Sequence, residues 1–222
     1  MQIVALPEKL AVPMVPDLLD KKKIEAAYAK LQTYLADGRA ILVGWPTLTA
    51  RSGMRAVIEA IDEICYPSEM FLPDLNDAPS VAEGGTAKLD ATPLGFLTRN
   101  AGVTLEVEPV VSPDGPIIDL NLGPQHVSLQ GYKTSTFEVS RNGTKAIVRG
   151  QHPEFHTNKV TTSLSFGNGQ RKLLGTYKVA NPEGYMEFFI LKVEIEQVLD
   201  AGKPVSSVRS HYRAPTGFGA PQ

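Results

Sequence analysis

Residues 103–108 read Val-Thr-Leu-Glu-Val-Glu, and residues 117–122 read Ile-Ile-Asp-Leu-Asn-Leu. Apolar and polar side chains alternate in both. A strand sends successive side chains to opposite faces, so each segment makes a ribbon with one apolar and one wet face. A helix would scatter the same residues around its axis. Ser112-Pro113-Asp114-Gly115 lies between them and supplies turn chemistry, which predicts a hairpin. Val103, Leu105 and Val107, with Ile118, Leu120 and Leu122, form its core side. Thr104, Glu106 and Glu108 form the wet side of the first strand.

The period of two recurs through most of the chain. Residues 40–50 and 55–65 read as strands joined by Arg51-Ser52-Gly53, with Pro46 marking an edge or bulge. Residues 125–150 suggest a second hairpin with Asn142-Gly143 at its turn. Val160, Thr162, Leu164 and Phe166 share one face of a further strand. Gly167-Asn168-Gly169-Gln170 then turns the chain, and Arg171–Tyr177 returns. Residues 185–199 read as a last strand, and its apolar centre places it inside a sheet. Residues 66–100 are rich in Pro, Gly, Asp and Ala and show no clear period. They read as a long loop, a length associated with function or mobility.

One helical segment is legible, residues 17–38. Ile24, Ala27, Tyr28, Leu31, Tyr34 and Leu35 recur at spacings of three and four and make one apolar face. Asp17 or Asp20 fits the N-cap, and Gly38 fits the left-handed position past the end. Lys21, Lys22 and Lys23 read as a solvated face. Residues 1–16 carry Pro7, Pro13 and Pro16 and read as an extended arm. Residues 206–222 read as a flexible tail. The fold class expected is α+β: a mainly antiparallel β-sheet packed by one amphipathic N-terminal helix, in one domain over residues 17–205.

Composition narrows function. With 22 basic and 24 acidic residues, nothing argues for nucleic acid or an anionic membrane surface. No apolar run reaches the roughly 20 residues of a transmembrane helix. The single cysteine, Cys65, rules out an internal disulfide and reads as a small buried hydrophobe. The start lacks the pattern of a signal peptide, so the chain is either cytosolic or begins after a removed signal.

Catalytic signals are weak. His152 and His156 stand four apart with Glu154 between them, but Pro153 and the strand pattern argue against the helix that would aim both rings at a metal. Gly167-Asn168-Gly169 sits between strands, where a phosphate loop would need a helix to follow. No nucleophile elbow is present. The expectation is no enzyme, no cofactor and no metal. Trp45, the only tryptophan, reads as a core residue or an interface anchor.

The order of these segments resembles the secretin family, the outer-membrane channel proteins of type II and type III secretion and of type IV pilus systems. The stretch LVGWPTLTARSGMRAVIEAIDEICYPSEM is similar to the family's strand, polar turn and strand after a helix. TRNAGVTLEVEPVVSPDGPIIDLNLGP resembles its valine-rich strand pair around an Asp-Gly turn. FHTNKVTTSLSFGNGQRKLLG looks like the later pair with its Gly-Gln turn, and MEFFILKVEIEQVLDAGKPV resembles the closing strand. The likeness runs from the helix to about Val205. Two departures stand out. Leu174-Gly175-Thr176 replaces the family's adjacent glycines, and TYKVANPEGYME stands where a longer lip segment is usual.

The resemblance implies a non-enzymatic structural or accessory component of a bacterial envelope secretion or pilus system, in the periplasm or outer membrane. It implies protein partners and self-association through sheet edges. Thr104, Glu106, Glu108 and Trp45 are then the expected partner surface. The alternative is an adhesion or partner-binding module that uses loop 66–100.

Overall fold

The computed structural model describes residues 1–71, 86–113, 116–141 and 144–196. The fold is α+β and mainly antiparallel, as the alternation predicts. It has three layers: helices, a small sheet, and a larger sheet.

The small sheet has the order β10-β11-β1-β2, with β10 Arg171–Lys178, β11 Tyr185–Lys192, β1 Gln2–Pro7 and β2 Ile41–Gly44. Apart from buried Gln2 and Glu187, the centres of its two middle strands are apolar on both faces because both faces are covered. Val4, Leu6, Phe188 and Ile190 pack against the helices. Ile3, Phe189 and Leu191 pack against the larger sheet. The apolar centre of the last strand is thus placed inside a sheet, as expected, though the strand ends at Lys192.

Residues 1–16 are not an extended arm. Gln2–Pro7 is buried strand, and α1 (Glu8–Ala11), a 3₁₀ turn (Val12–Met14) and α2 (Val15–Leu19) follow. The prolines that suggested an arm sit where helices accept them. Pro13 and Pro16 occupy first-turn positions that need no N–H donor. The expected single helix is likewise divided. Asp20 ends α2, and its carboxylate accepts the Lys22 N–H at 2.8 Å. α3 runs Ile24–Ala36, and Ile24, Ala27, Leu31 and Tyr34 are buried on one face. Gly38 follows with φ of 70°, the left-handed conformation anticipated for it.

The larger sheet consists of β3 (Ala56–Phe71), β4 (Thr86–Asp90), β5 (Thr92–Val111), β6 (Ile117–Leu122), β7 (Gln125–Arg141), β8 (Thr144–Lys159) and β9 (Thr162–Gly167). β5 and β6 form the hairpin read from the sequence, with Val107 opposite Leu122. The Asp114-Gly115 turn lies outside the described residues. β7 and β8 form the second hairpin, and its Asn142-Gly143 turn is also outside them.

Two expected hairpins do not form. β2 pairs with β1 and β3 pairs with β5, so Arg51-Ser52-Gly53 leads the chain from one sheet to the other. β9 pairs with β6 and β10 pairs with β11, so the turn at Gly167–Gln170 does the same. Turn residues report a change of direction and not which strand comes next. Most of the expected loop 66–100 is strand as well. Tyr66–Phe71 continues β3, Thr86–Asp90 is β4, and Thr92–Asn100 begins β5. The part between 72 and 85, and the tail 206–222, lie outside the described residues.

Register shows how far the strands run. Val107 faces Leu122, and three residues on, Thr104 faces Gln125 without a slip. β6 and β7 are therefore one line along β5, broken at Gly123-Pro124. β9 and β8 form a matching line, broken at Val160-Thr161. Beyond Gly102 and Val127 the sheet splits into two long arms, β3 with β5 and β7 with β8. Gly102 sits at the fork with φ of 130°. A Cβ there would lie 2.2 Å from the Ala60 carbonyl oxygen, so only glycine fits. The arms stack through Tyr66 and Phe155, whose ring centres are 5.8 Å apart, and through Arg99, which donates to Thr157 Oγ1 at 3.0 Å. β4 crosses from the first arm to pair in parallel with β8.

Candidate functional site

Thr104, Glu106 and Glu108 lie on the outer face of β5, opposite buried Val103, Leu105 and Val107. Neighbouring strands extend this wet face. Thr104 Oγ1 donates to Glu59 Oε1 at 3.3 Å. Glu106 Oε1 lies 2.6 Å from Arg55 Nε, in an exposed pair. Glu108 stands opposite Asn121. Further out, Ser163 donates to Asn121 at 2.6 Å and Ser165 to Asp119 at 2.5 Å. The result is a hydroxyl, amide and carboxylate surface across four strands, acidic on balance, with exposed Val57, Val110 and Ile117 among its apolar members.

Trp45 is elsewhere. It follows β2, is 61% exposed, and joins exposed Ile41 and Leu42 at the open edge of the small sheet. It is not a core residue. The structure therefore does not bring the four expected surface residues into one patch. Cys65 corrects another expectation: it is exposed on β3. His152 and His156 lie on strand β8. In a strand, residues four apart share a face but stand about 13 Å apart. Glu154 pairs with Lys133 at 3.5 Å, and His156 meets Asn158 at 3.1 Å. Among the described residues no three His, Cys, Asp or Glu side chains group as metal ligands.

The edges carry a clearer signal. Among the described residues, β3 lies at one margin of the larger sheet and pairs only with β5. It carries Glu59, Asp62, Glu63 and Glu69 and no basic residue. β8 lies toward the other margin, where, among the described residues, β4 covers only Lys145–Arg149. Its uncovered stretch, residues 150–159, carries Lys159 and Glu154 and so is balanced in charge, while the basic Lys145 and Arg149 lie along β4. The long arms also expose Phe71, Leu94, Phe96, Leu97, Tyr132 and Phe137.

One polar cluster was not read from the sequence. Glu187 of β11 is 1% exposed, with one carboxylate oxygen 2.9 Å from His126 Nδ1 and the other accepting from Asn158 Nδ2 at 2.9 Å. The available signal was a lone acid inside the apolar run Met186–Leu191. Burial of such a group demands partners.

Layers, open edges and projecting arms define the class: a mainly antiparallel α+β scaffold whose long strands leave its core. The sequence model of the Secretin family, described as bacterial type II and III secretion system protein, matches residues 34–178. The match spans more than half of the chain, and the chain belongs to the secretin family. Membership makes it a component of a bacterial secretion or pilus-related system of the cell envelope. No curated protein and no solved structure matches the chain. The matched region begins within α3 and ends with β10, so the paired strands β1 and β11 lie outside it.

Proposed function

We propose that this protein is a structural, non-catalytic subunit of a bacterial envelope secretion or type IV pilus assembly, in the periplasm or outer membrane, and that its copies associate head to tail through sheet edges. The observation that carries this reading is the pair of unlike edges. An open strand edge offers unpaired N–H and C=O groups to another strand. Two β3 edges would set carboxylates against carboxylates, whereas β3 against the charge-balanced open stretch of β8 does not, which favours unlike over self-matched pairing. Such a contact joins two different surfaces, and repeating it closes a ring when the rotation allows. The wet face with Thr104, Glu106 and Glu108 stays free for a partner of the secretion or pilus system.

Size-exclusion chromatography with light scattering tests the reading. A closed multimer is expected. A monomer at high concentration, together with pull-downs that recover no secretion or pilus component, overturns it. A second reading, a partner-binding module built on segment 66–100, is favoured by exposed Leu94, Phe96 and Leu97. It predicts that replacing those three by serine abolishes partner capture but leaves multimers intact.

A further inference from the structure

The breaks in the two long strand lines lie side by side. β6 ends at Leu122 opposite Thr162, and β7 begins at Gln125 opposite Lys159. The ladder is held across the gap, where Val160 N–H donates to the Pro124 carbonyl at 3.0 Å. β5 also spans the gap, through Gly123 N–H to the Glu106 carbonyl at 2.9 Å and through its pairing with Gln125–Val127, and its pairing with β7 ends at Val127.

Immediately beyond the breaks, His126 and Asn158 face each other across the two strands. Both reach down to Glu187 of the small sheet, one to each carboxylate oxygen. His156 continues the chain through Asn158 Oδ1. Glu187 and Asn158 are both buried, and the β11 neighbours Phe188, Phe189 and Ile190 are apolar core. Apolar contacts tolerate sliding. Two directed bonds from one carboxylate to two strands do not. A buried polar group adds little net stability over an apolar replacement but fixes geometry.

We infer that Glu187 is a latch that seats the root of the second arm on the small sheet, through His126 and Asn158 at the place where backbone pairing with β5 ends, and that the root of the arm loosens locally when the latch opens. The device belongs to the single chain and holds whatever the mode of assembly.

Hydrogen exchange of the full chain, read by mass spectrometry, tests it. Glu187→Leu leaves His126 and Asn158 without their partner. Amides in residues 125–133 and 150–159 are expected to exchange at least about tenfold faster, while β1, β6 and β9 keep their protection. Glu187→Gln keeps both bonds, because its carbonyl oxygen accepts from Asn158 and its amide donates to the imidazole. It is expected to stay within about twofold of wild type. Asn158→Ala cuts one bond from the arm side and is expected to loosen the same segments if the leucine variant does not fold. Unchanged exchange in those segments overturns the latch. So does equal acceleration in β1, β6 and β9, which would mark a global loss of stability, and so does failure of the glutamine to protect.

Discussion

Gly102→Ala puts a number on the fork between the arms. Gly102 has φ of 130°, a conformation that costs an L-residue on the order of 1–3 kcal/mol. The added Cβ would also lie 2.2 Å from the Ala60 carbonyl oxygen and 2.9 Å from the Ile61 Cα, both backbone atoms of β3. Backbone cannot rotate aside as a side-chain tip can. β3 must therefore shift and weaken one or two ladder bonds, each worth about 0.5–1.5 kcal/mol. The sum is roughly 1.5–6 kcal/mol. Gly131 supplies the control. Its φ is 134°, yet nothing lies within 4 Å of a Cβ built there. Gly131→Ala therefore carries the strain alone, on the order of 1–3 kcal/mol. Urea and thermal unfolding at matched protein concentration compare the two. Gly102→Ala should melt roughly 5 °C below Gly131→Ala, at about 2–4 °C per kcal/mol for a chain of this size. Equal losses would refute the collision argument and the position given to β3.

Three further outcomes follow from the packing. Leu31→Ala empties a fully buried site between α3 and the small sheet and should cost about 2–5 kcal/mol in denaturant titration. Arg55→Ala breaks the Glu106 pair, but its partners are 66% and 44% exposed, so unfolding should shift by less than about 1 kcal/mol. Tyr177 donates to the Lys159 carbonyl at 2.6 Å, and burial raises its phenol above the ordinary value of 10.0. The neutral form is favoured in the folded state. Its contribution is therefore complete below that ordinary value and fades as pH rises through the higher folded value. Tyrosinate absorbance should show one late-titrating phenol, absent in Tyr177→Phe.

What was legible in the sequence was what alternates. Val103 to Glu108 and Ile118 to Leu122 reported their faces correctly because one face is core and the other water. Ile24, Ala27, Leu31 and Tyr34 did the same for the helix. Residues 2–6 were missed because β1 is covered on both faces and shows no alternation, while three nearby prolines pointed to an arm. The partners of β2 and β9 were missed because a turn fixes direction and not the next strand. The length of β3 and β5 was hidden by Pro67, Pro93 and the glycines, which an edge strand and a twisted hairpin tolerate. Of the expected surface, Thr104, Glu106 and Glu108 share one face, whereas Trp45 lies on the other sheet. The Glu187 cluster joins residues 61 positions apart in sequence, which no local pattern reports.

The chain's own cysteine tests the head-to-tail contact most directly. Cys65 is the only cysteine and is exposed on the acidic edge strand β3. Single cysteines introduced one at a time along residues 150–159 of β8, followed by mild oxidation and non-reducing electrophoresis, report whether that edge meets the neighbour's β3. Some positions are expected to yield a ladder of multimers, because each copy then carries both halves of a head-to-tail contact. A scan in which every position gives only monomers, or only the Cys65-to-Cys65 dimers of the unmodified chain, would contradict it.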